Sequence, residues 1–381
     1  MRKLLLLTLI LFLGFLFACG GSSRPQSVTS TFAFIQEAPN YSYAFTPMLG
    51  QFVVTGSKVE FKATPAAVDA GSGSSVKGEF YSIVLSPDGK KATFDLLGGT
   101  LDSPTDQWDI WVANADTSNI TQITNDSYDD ALPQFSPDGT KVVFASYRPL
   151  PETEAAYQWQ IVIRNVNGTG EQVLPIPNGV IYQFHPSYSP DGSKIVMTAS
   201  GYTAQEVPFW GIYVVNADDS NPTLLTNPLY SSEPCYYCND EDPVFTADGT
   251  KIVFSRYNDT NSAVEDVYVM NADGTGVTQL TDGTAINADP SVMTIQGVGD
   301  RILFSSTRSS QNDVPGGFDL YSMKLDGTGV TRLTNNALYD GLSGEWYDVY
   351  GTANAASKRV LGRNQPAPYR GHLPVTRPNL K

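Results

Sequence analysis

The sequence predicts an all-β chain: a six-bladed β-propeller of four-stranded antiparallel blades, closed by N- and C-terminal strands sharing one blade. Three observations predict it. The turn Ser-Pro-Asp-Gly recurs with a period of roughly fifty residues, which marks a repeat architecture. Each copy leads into a basic residue and a run of β-formers, and a second apolar motif then follows in the same order. Gly (33) and Pro (25) are plentiful among the 381 residues, as a chain with many tight turns requires.

Ser86-Pro87-Asp88-Gly89 returns as Ser136-Pro137-Asp138-Gly139, Ser189-Pro190-Asp191-Gly192 and Thr246-Ala247-Asp248-Gly249, with Val298-Gly299-Asp300 a degenerate fifth copy. Asp-Gly between β-former runs signals a hairpin, because both residues tolerate the backbone a tight turn needs. The run after each turn is a second strand: Lys91–Phe94, Lys141–Phe144, Lys194–Met197, Lys251–Phe254 and Arg301–Phe304. A third strand follows at Asp109–Asn114, Gln160–Asn165, Gly211–Asn216, Asp266–Asn271 and Asp319–Lys324, and a short fourth ends at Thr124, Thr281 or Thr334. Four short strands per unit make one propeller blade. The sixth blade is expected from the two ends. Thr31–Ile35, Gln51–Val54 and Lys58–Phe61 supply its second, third and fourth strands, and Gly344–Val349 its first. Such sharing removes an exposed sheet edge.

Arg2 and Lys3 precede an apolar run from Leu4 to Phe17, too short to span a bilayer and of the length of a secretory signal. It ends in Leu16-Phe17-Ala18-Cys19, which resembles a bacterial lipobox and implies lipidation of Cys19. The expected organisation is a lipoprotein signal peptide over 1–18, a flexible tether over 19–29, a propeller over 30–354, and a basic, Pro-rich tail over 355–381. The tail carries Lys358, Arg359, Arg363, Arg370, Arg377 and Lys381 and no acidic residue.

The three recurring motifs together resemble the WD-like repeat of TolB-type propellers, and the match covers all five plain units. The small α/β domain of that family has no counterpart between Cys19 and the first strands. The resemblance implies a six-bladed fold and a binding role in the cell envelope.

Lys and Arg number 24 against 39 Asp and Glu, a net charge of −15, which disfavours nucleic acid as a partner. The repeated turn Asp residues read as structural, since chemistry needs a residue once and a turn needs it in every blade. Positions that differ between repeats are more informative. Leu132-Pro133, His185-Pro186, Asp242-Pro243 and Asp289-Pro290 stand just before the expected first strands, which line the channel. His185, Asp242 and Asp289, with Asp129, Asp130, Asp240 and Glu241 nearby, would make one mouth acidic and attract a cation, a basic peptide or a sugar. Calcium is the cation considered; no cofactor is otherwise expected. Arg148 and Arg308 occupy matching places after the second strand, with Arg256 two residues earlier in its blade. They are expected in ion pairs between blades, or as forks for a ligand carboxylate. Cys235 and Cys238 read as a small-loop disulfide in an oxidising compartment. Further ligands at zinc-motif spacing are missing, and Asn239 stands where haem attachment needs His.

The function expected is non-enzymatic binding or scaffolding of an envelope protein or peptide at one mouth, by a monomer held to the membrane through Cys19 alone. It would lie on the outer membrane facing the periplasm, or on the cell surface. The alternative is a carbohydrate-active enzyme, a lyase or hydrolase of acidic oligosaccharides, at the same mouth. No Gly-x-Ser-x-Gly elbow is present for a serine hydrolase.

Overall fold

A computed structural model describes residues 27–37, 45–55, 58–65, 79–97, 107–115, 119–150, 153–202, 204, 208–226, 239–258, 264–308, 318–335 and 340–341. Cys19, the Cys235–Cys238 pair and the tail lie outside these residues.

The last blade comes first in the chain. β1 (Val28–Glu37), β2 (Phe45–Thr55) and β3 (Lys58–Pro65) are the second, third and fourth strands of blade six, as expected. Blade one is β4 (Glu79–Leu85), β5 (Lys91–Leu97), β6 (Trp108–Asn114) and β7 (Thr121–Gln122). Blade two is β8 (Asp129–Phe135), β9 (Lys141–Leu150), β10 (Thr153–Asn165) and β11 (Gln172–Val173). Blade three is β12 (Val180–Tyr188), β13 (Lys194–Tyr202), β14 (Pro208–Asn216) and β15 (Thr223–Leu224). Blade four is β16 (Asn239–Phe245), β17 (Lys251–Asn258), β18 (Val264–Asn271) and β19 (Thr278–Gln279). Blade five is β20 (Asn287–Ile295), β21 (Gly299–Ser306), β22 (Asp319–Met323) and β23 (Thr331–Arg332). β24 (Asp340–Gly341) then pairs with β1 and completes blade six. All pairings between named strands are antiparallel, and the first strands of successive blades pack against one another around the channel.

Two boundaries differ from expectation. β1 begins at Val28, inside the segment read as a tether. The closing strand starts at Asp340, where Gln36 Nε2 donates to Asp340 Oδ1 at 2.7 Å, ahead of the expected Gly344–Val349, which lies outside the described residues. First strands here open on polar residues, as in Asp129-Asp130 and Asn239-Asp240-Glu241, and β-propensity does not flag such residues as strand.

The core sits in the seams between blades. One cluster joins Ile110 and Val112 of blade one to Val142 and Phe144 of blade two, and another joins Val196 and Ile212 of blade three to Ile252 and Phe254 of blade four. The same second-strand position holds Phe34, Phe94, Phe144, Phe254 and Phe304, all buried, with Met197 in blade three.

The recurring turns are built alike. Ser86 Oγ donates to Asp88 Oδ1 at 2.7 Å, Lys90 N donates to the same oxygen at 3.0 Å, and Gly89 sits at φ +68°. Ser189, Asp191, Ser193 and Gly192 repeat this at 2.6 Å, 3.0 Å and φ +72°. The seryl hydroxyl, then the backbone N–H, holds Asp88 and Asp191 down to about 2. Because the folded value is depressed, the stability these groups give is present above about pH 4 and lost as pH falls toward 2. Asp191→Asn is therefore expected to shallow the acid unfolding limb in that window, followed by circular dichroism. An acid limb identical to the parent's would contradict the turn assignment.

Candidate functional site

The X-Pro positions singled out in the sequence lie inside the first strands, each at a β-bulge. Register skips between Ala131 and Gln134, Phe184 and Ser187, Glu241 and Val244, and Ala288 and Ser291, so two residues oppose one each time. The residue before each Pro is left-handed: Leu132 at φ 60°, His185 at 47°, Asp242 at 53° and Asp289 at 51°. A residue before Pro favours extended backbone, so this conformation is costly and persists only where neighbours fix it. Those neighbours come from the preceding blade. Leu132 N donates to Asp95 Oδ2 at 2.8 Å, and Asp242 N to Thr198 Oγ1 at 3.2 Å. The ring thus belongs to the channel wall rather than to a loop rim.

Two predicted residues meet. His185 Nδ1 lies 3.1 Å from Asp242 Oδ1 across the seam of blades three and four, and Ser255 Oγ donates to Asp242 Oδ2 at 3.1 Å. Asp289 holds the same register in blade five and is buried. Behind His185 runs a chain of aromatic rings. Tyr157 stacks near Tyr147, Tyr147 near Trp159, Trp159 near Phe184, and Phe184 near His185, with centroids 5.5–6.2 Å apart. The outermost ring, Tyr157, is 44% exposed. The rings run from His185 outward into the core between blades two and three, where Trp159 and Phe184 are buried.

Asp130, Arg148 and Arg308 do not join this ring. Arg308 Nη2 donates to Asn287 Oδ1 at 2.7 Å and its guanidinium lies over Phe304 and Tyr321, all within blade five. Arg256 clamps Asp240 within blade four, Nη2 to Oδ2 at 2.8 Å. Arg148 pairs with Glu171 of its own blade at 3.2 Å, while Arg164 reaches across to Asp126 at 3.0 Å. The expectation of pairing between blades thus fits Arg164, and the three arginines named from sequence make their hydrogen bonds inside their own blades. Their long side chains fold back along the strand face, where an aromatic ring and a hydroxyl or carboxylate two residues away are within reach. Among the described residues no three His, Cys, Asp or Glu side chains converge as a metal site.

Sequence reasoning missed a set of buried carboxylates. Asp109 accepts from Thr124 Oγ1 at 3.1 Å and Gln122 Nε2 at 3.0 Å, and Asp319 accepts from Thr334 Oγ1 at 3.3 Å and Arg332 Nη2 at 2.6 Å. Asp266 binds Thr281 and Gln279 in the same way. The same threonines take the backbone N–H of Ile110, Val267 and Leu320. An Asp early in the third strands of blades one, four and five, with Thr fifteen positions on, was the available signal. Burial pushes Asp95 and Asp109 up to about 6 and Asp130 up to about 8.

No protein-family model matches the sequence. Over 132 residues, 35% of the chain, it is 27% identical to the Tol-Pal system protein TolB of Anaeromyxobacter dehalogenans. The match spans about a quarter of that relative, 26% of its length. TolB from Acinetobacter baumannii superposes with a TM-score of 0.58 at 17% identity, covering 82% of this chain and 65% of that one. A putative TolB from Agrobacterium tumefaciens gives 0.50 at 18% identity, covering 83% and 92%. At these identities the structural likeness speaks for the fold.

Proposed function

We propose that this chain, a TolB-like six-bladed β-propeller, is a non-enzymatic binding protein of the cell envelope. It is anchored by a lipid on Cys19, stiffened by a Cys235–Cys238 disulfide, and receives a protein or peptide in its channel. The observation that carries this reading is the ring of left-handed residues in successive first strands. Backbone strain there is held in place by the preceding blades, and it turns His185, Asp242 and Asp289 to one register of the wall. Strain of this kind gathers at ligand sites, and carboxylates at this level of the wall suit a segment carrying basic side chains. The name of the relative from Anaeromyxobacter, a protein of the Tol-Pal system, supports an envelope partner.

The test is a pull-down from native envelope with the mature chain, compared with Asp242→Asn/Asp289→Asn. Wild type should retain a defined partner and the double variant at least tenfold less, with unchanged far-ultraviolet dichroism. Equal recovery would remove the ring from the binding site.

A second reading draws on the His185–Asp242 contact, an arrangement able to hold and move a proton. It makes the chain a carbohydrate-active enzyme on acidic oligosaccharides. Turnover of such oligosaccharides that disappears in His185→Ala would establish it and displace the first reading.

A further inference from the structure

The outer edge of blade six differs from every other. The fourth strands β7, β11, β15, β19 and β23 are two residues long, whereas β3 runs eight and pairs with β2 along its whole length, from Thr55↔Lys58 to Met48↔Pro65. Among the described residues no strand lies on its other side. An unpaired edge of this length is a template for another strand.

The side chains of β3 sort by face. Phe61 packs against Phe52 and Phe32 at 5.5 and 6.0 Å, so Val59, Phe61 and Ala63 share the apolar face turned toward blade five. Lys58, Glu60 and Lys62 lie on the opposite face and are exposed. Val59 is 45% exposed, an apolar side chain that its own blade does not cover. Lys58 pairs with Glu60, and that hydrogen bond and charge keep the Glu60 carboxyl below its ordinary range and hence ionised at neutral pH.

We propose that β3 pairs antiparallel with β3 of a second copy of this chain about a two-fold axis at Phe61, joining two sixth blades into one continuous eight-stranded sheet. In this register Lys62 stands opposite Glu60 of the second copy and Glu60 opposite its Lys62. Val59 faces Ala63, and the two Phe61 rings become cross-strand neighbours. Both faces are matched at once, charge to opposite charge and apolar to apolar. Sliding the pairing by one residue on each strand loses this. Centring on Glu60 sets Glu60 against itself and Lys58 against Lys62, and centring on Lys62 sets that lysine against itself; like charges opposite each other destabilise. Pro65, which has no N–H to give, falls just outside the seven-residue pairing from Lys58 to Thr64. The symmetry closes, so the product is a dimer rather than a fibre. The monomer expected from sequence is then the dilute form.

The experiment is sedimentation equilibrium of the purified mature chain up to about 0.2 mM, because a single strand pair lies at the small end of interface sizes. Wild type should approach twice the monomer mass, and should dissociate in high salt as the exposed ion pairs are screened. Lys62→Glu sets a carboxylate opposite each Glu60 and should give monomer at every concentration, as should Glu60→Lys. The double variant Glu60→Lys/Lys62→Glu restores opposite charges in the same register and should recover the dimer. Monomeric wild type, single variants that still dimerise, or a double variant that stays monomeric would each overturn the proposal. Loss of the dimer in Asp242→Asn/Asp289→Asn, which lies in the channel, would place the contact elsewhere and overturn it as well.

Discussion

Asp130→Asn is expected to raise stability at pH 8 by roughly 2–4 kcal/mol and to flatten its pH dependence above pH 6. Asp130 is fully buried opposite Ser146, and neither of its oxygens has a hydrogen-bond partner among the described residues. Blade five shows what the position is built for. There Asn287, opposite Ser306, donates through Nδ2 to Asp266 Oδ1 at 3.1 Å and accepts from Arg308 Nη2 at 2.7 Å and Ser306 Oγ at 2.8 Å. The positions of blades one and two that match Asp266, Arg308 and Ser306 hold Asp109, Arg148 and Ser146, but the carboxylate at 130 has no N–H to donate. Arg148 Nη2, buried and unpartnered, is left over because Nη1 has gone to Glu171.

Burial is the main force on Asp130, with the charge of Asp126 adding to it; the Ser146 and Thr124 hydroxyls and the charge of Arg148 pull the other way, leaving it at about 8. A folded value above the unfolded one means the native state holds a proton that the unfolded chain releases. The contribution is therefore complete below about pH 4 and is lost as pH rises through 8, with a slope of up to about 1.4 kcal/mol per pH unit. Asp95 and Asp109, at about 6, share the lower part of this window, and Asp130 extends it toward pH 8. Urea unfolding at pH 6, 7 and 8 reads it. A variant whose slope matches wild type would show that Asp130 carries no buried proton.

Phe254→Ala is expected to cost about 3–5 kcal/mol, the range for truncating a buried Phe. Its ring is inaccessible and sits where Val196, Ile212 and Val214 of blade three meet Phe245, Ile252 and Met270 of blade four. The cavity would open in a seam rather than inside one sheet, and sheets fixed by their own hydrogen bonds cannot collapse to fill it. Arg256 would lose one of its two aromatic supports, the ring 5.6 Å below its guanidinium, while keeping Tyr268 at 4.8 Å. Calorimetry should show the melting temperature lowered by roughly 5–15 °C. Val277→Ala, at a residue 40% exposed on the rim, serves as the comparison and should change little. A Phe254→Ala variant that melts like the rim variant would mean the seam is not a packed core.

The sequence displayed most plainly what each blade repeats. The Asp-Gly turns and the apolar second- and third-strand runs are local chemistry, and each structure follows from neighbours in the chain. The X-Pro ring was visible but misplaced by several residues, because polar residues such as Asn239, Asp240 and Glu241 begin a strand whose backbone is paired by its neighbour, not by propensity. The partners of Arg148, Arg256 and Arg308 were not legible, since they depend on which face of a strand each side chain takes. Nor was the orphaned state of Asp130, which follows from its burial in the first strand of blade two. The contact of His185 with Asp242 joins residues whose nearness only the ring creates.

Closure through Gln36 and Asp340 has a consequence for the order of assembly. Blades one to five are each contiguous in sequence and can form as they are made, but blade six waits for a segment 304 positions downstream of its own second strand. Until then the arc of five blades has a free face at either end. Joining the ends is the step of longest range in the chain, so it sets the pace of maturation and the interval in which the protein is most open to misassembly. Once the latch has formed, pulling on either terminus must first extract a strand that the other terminus holds in place.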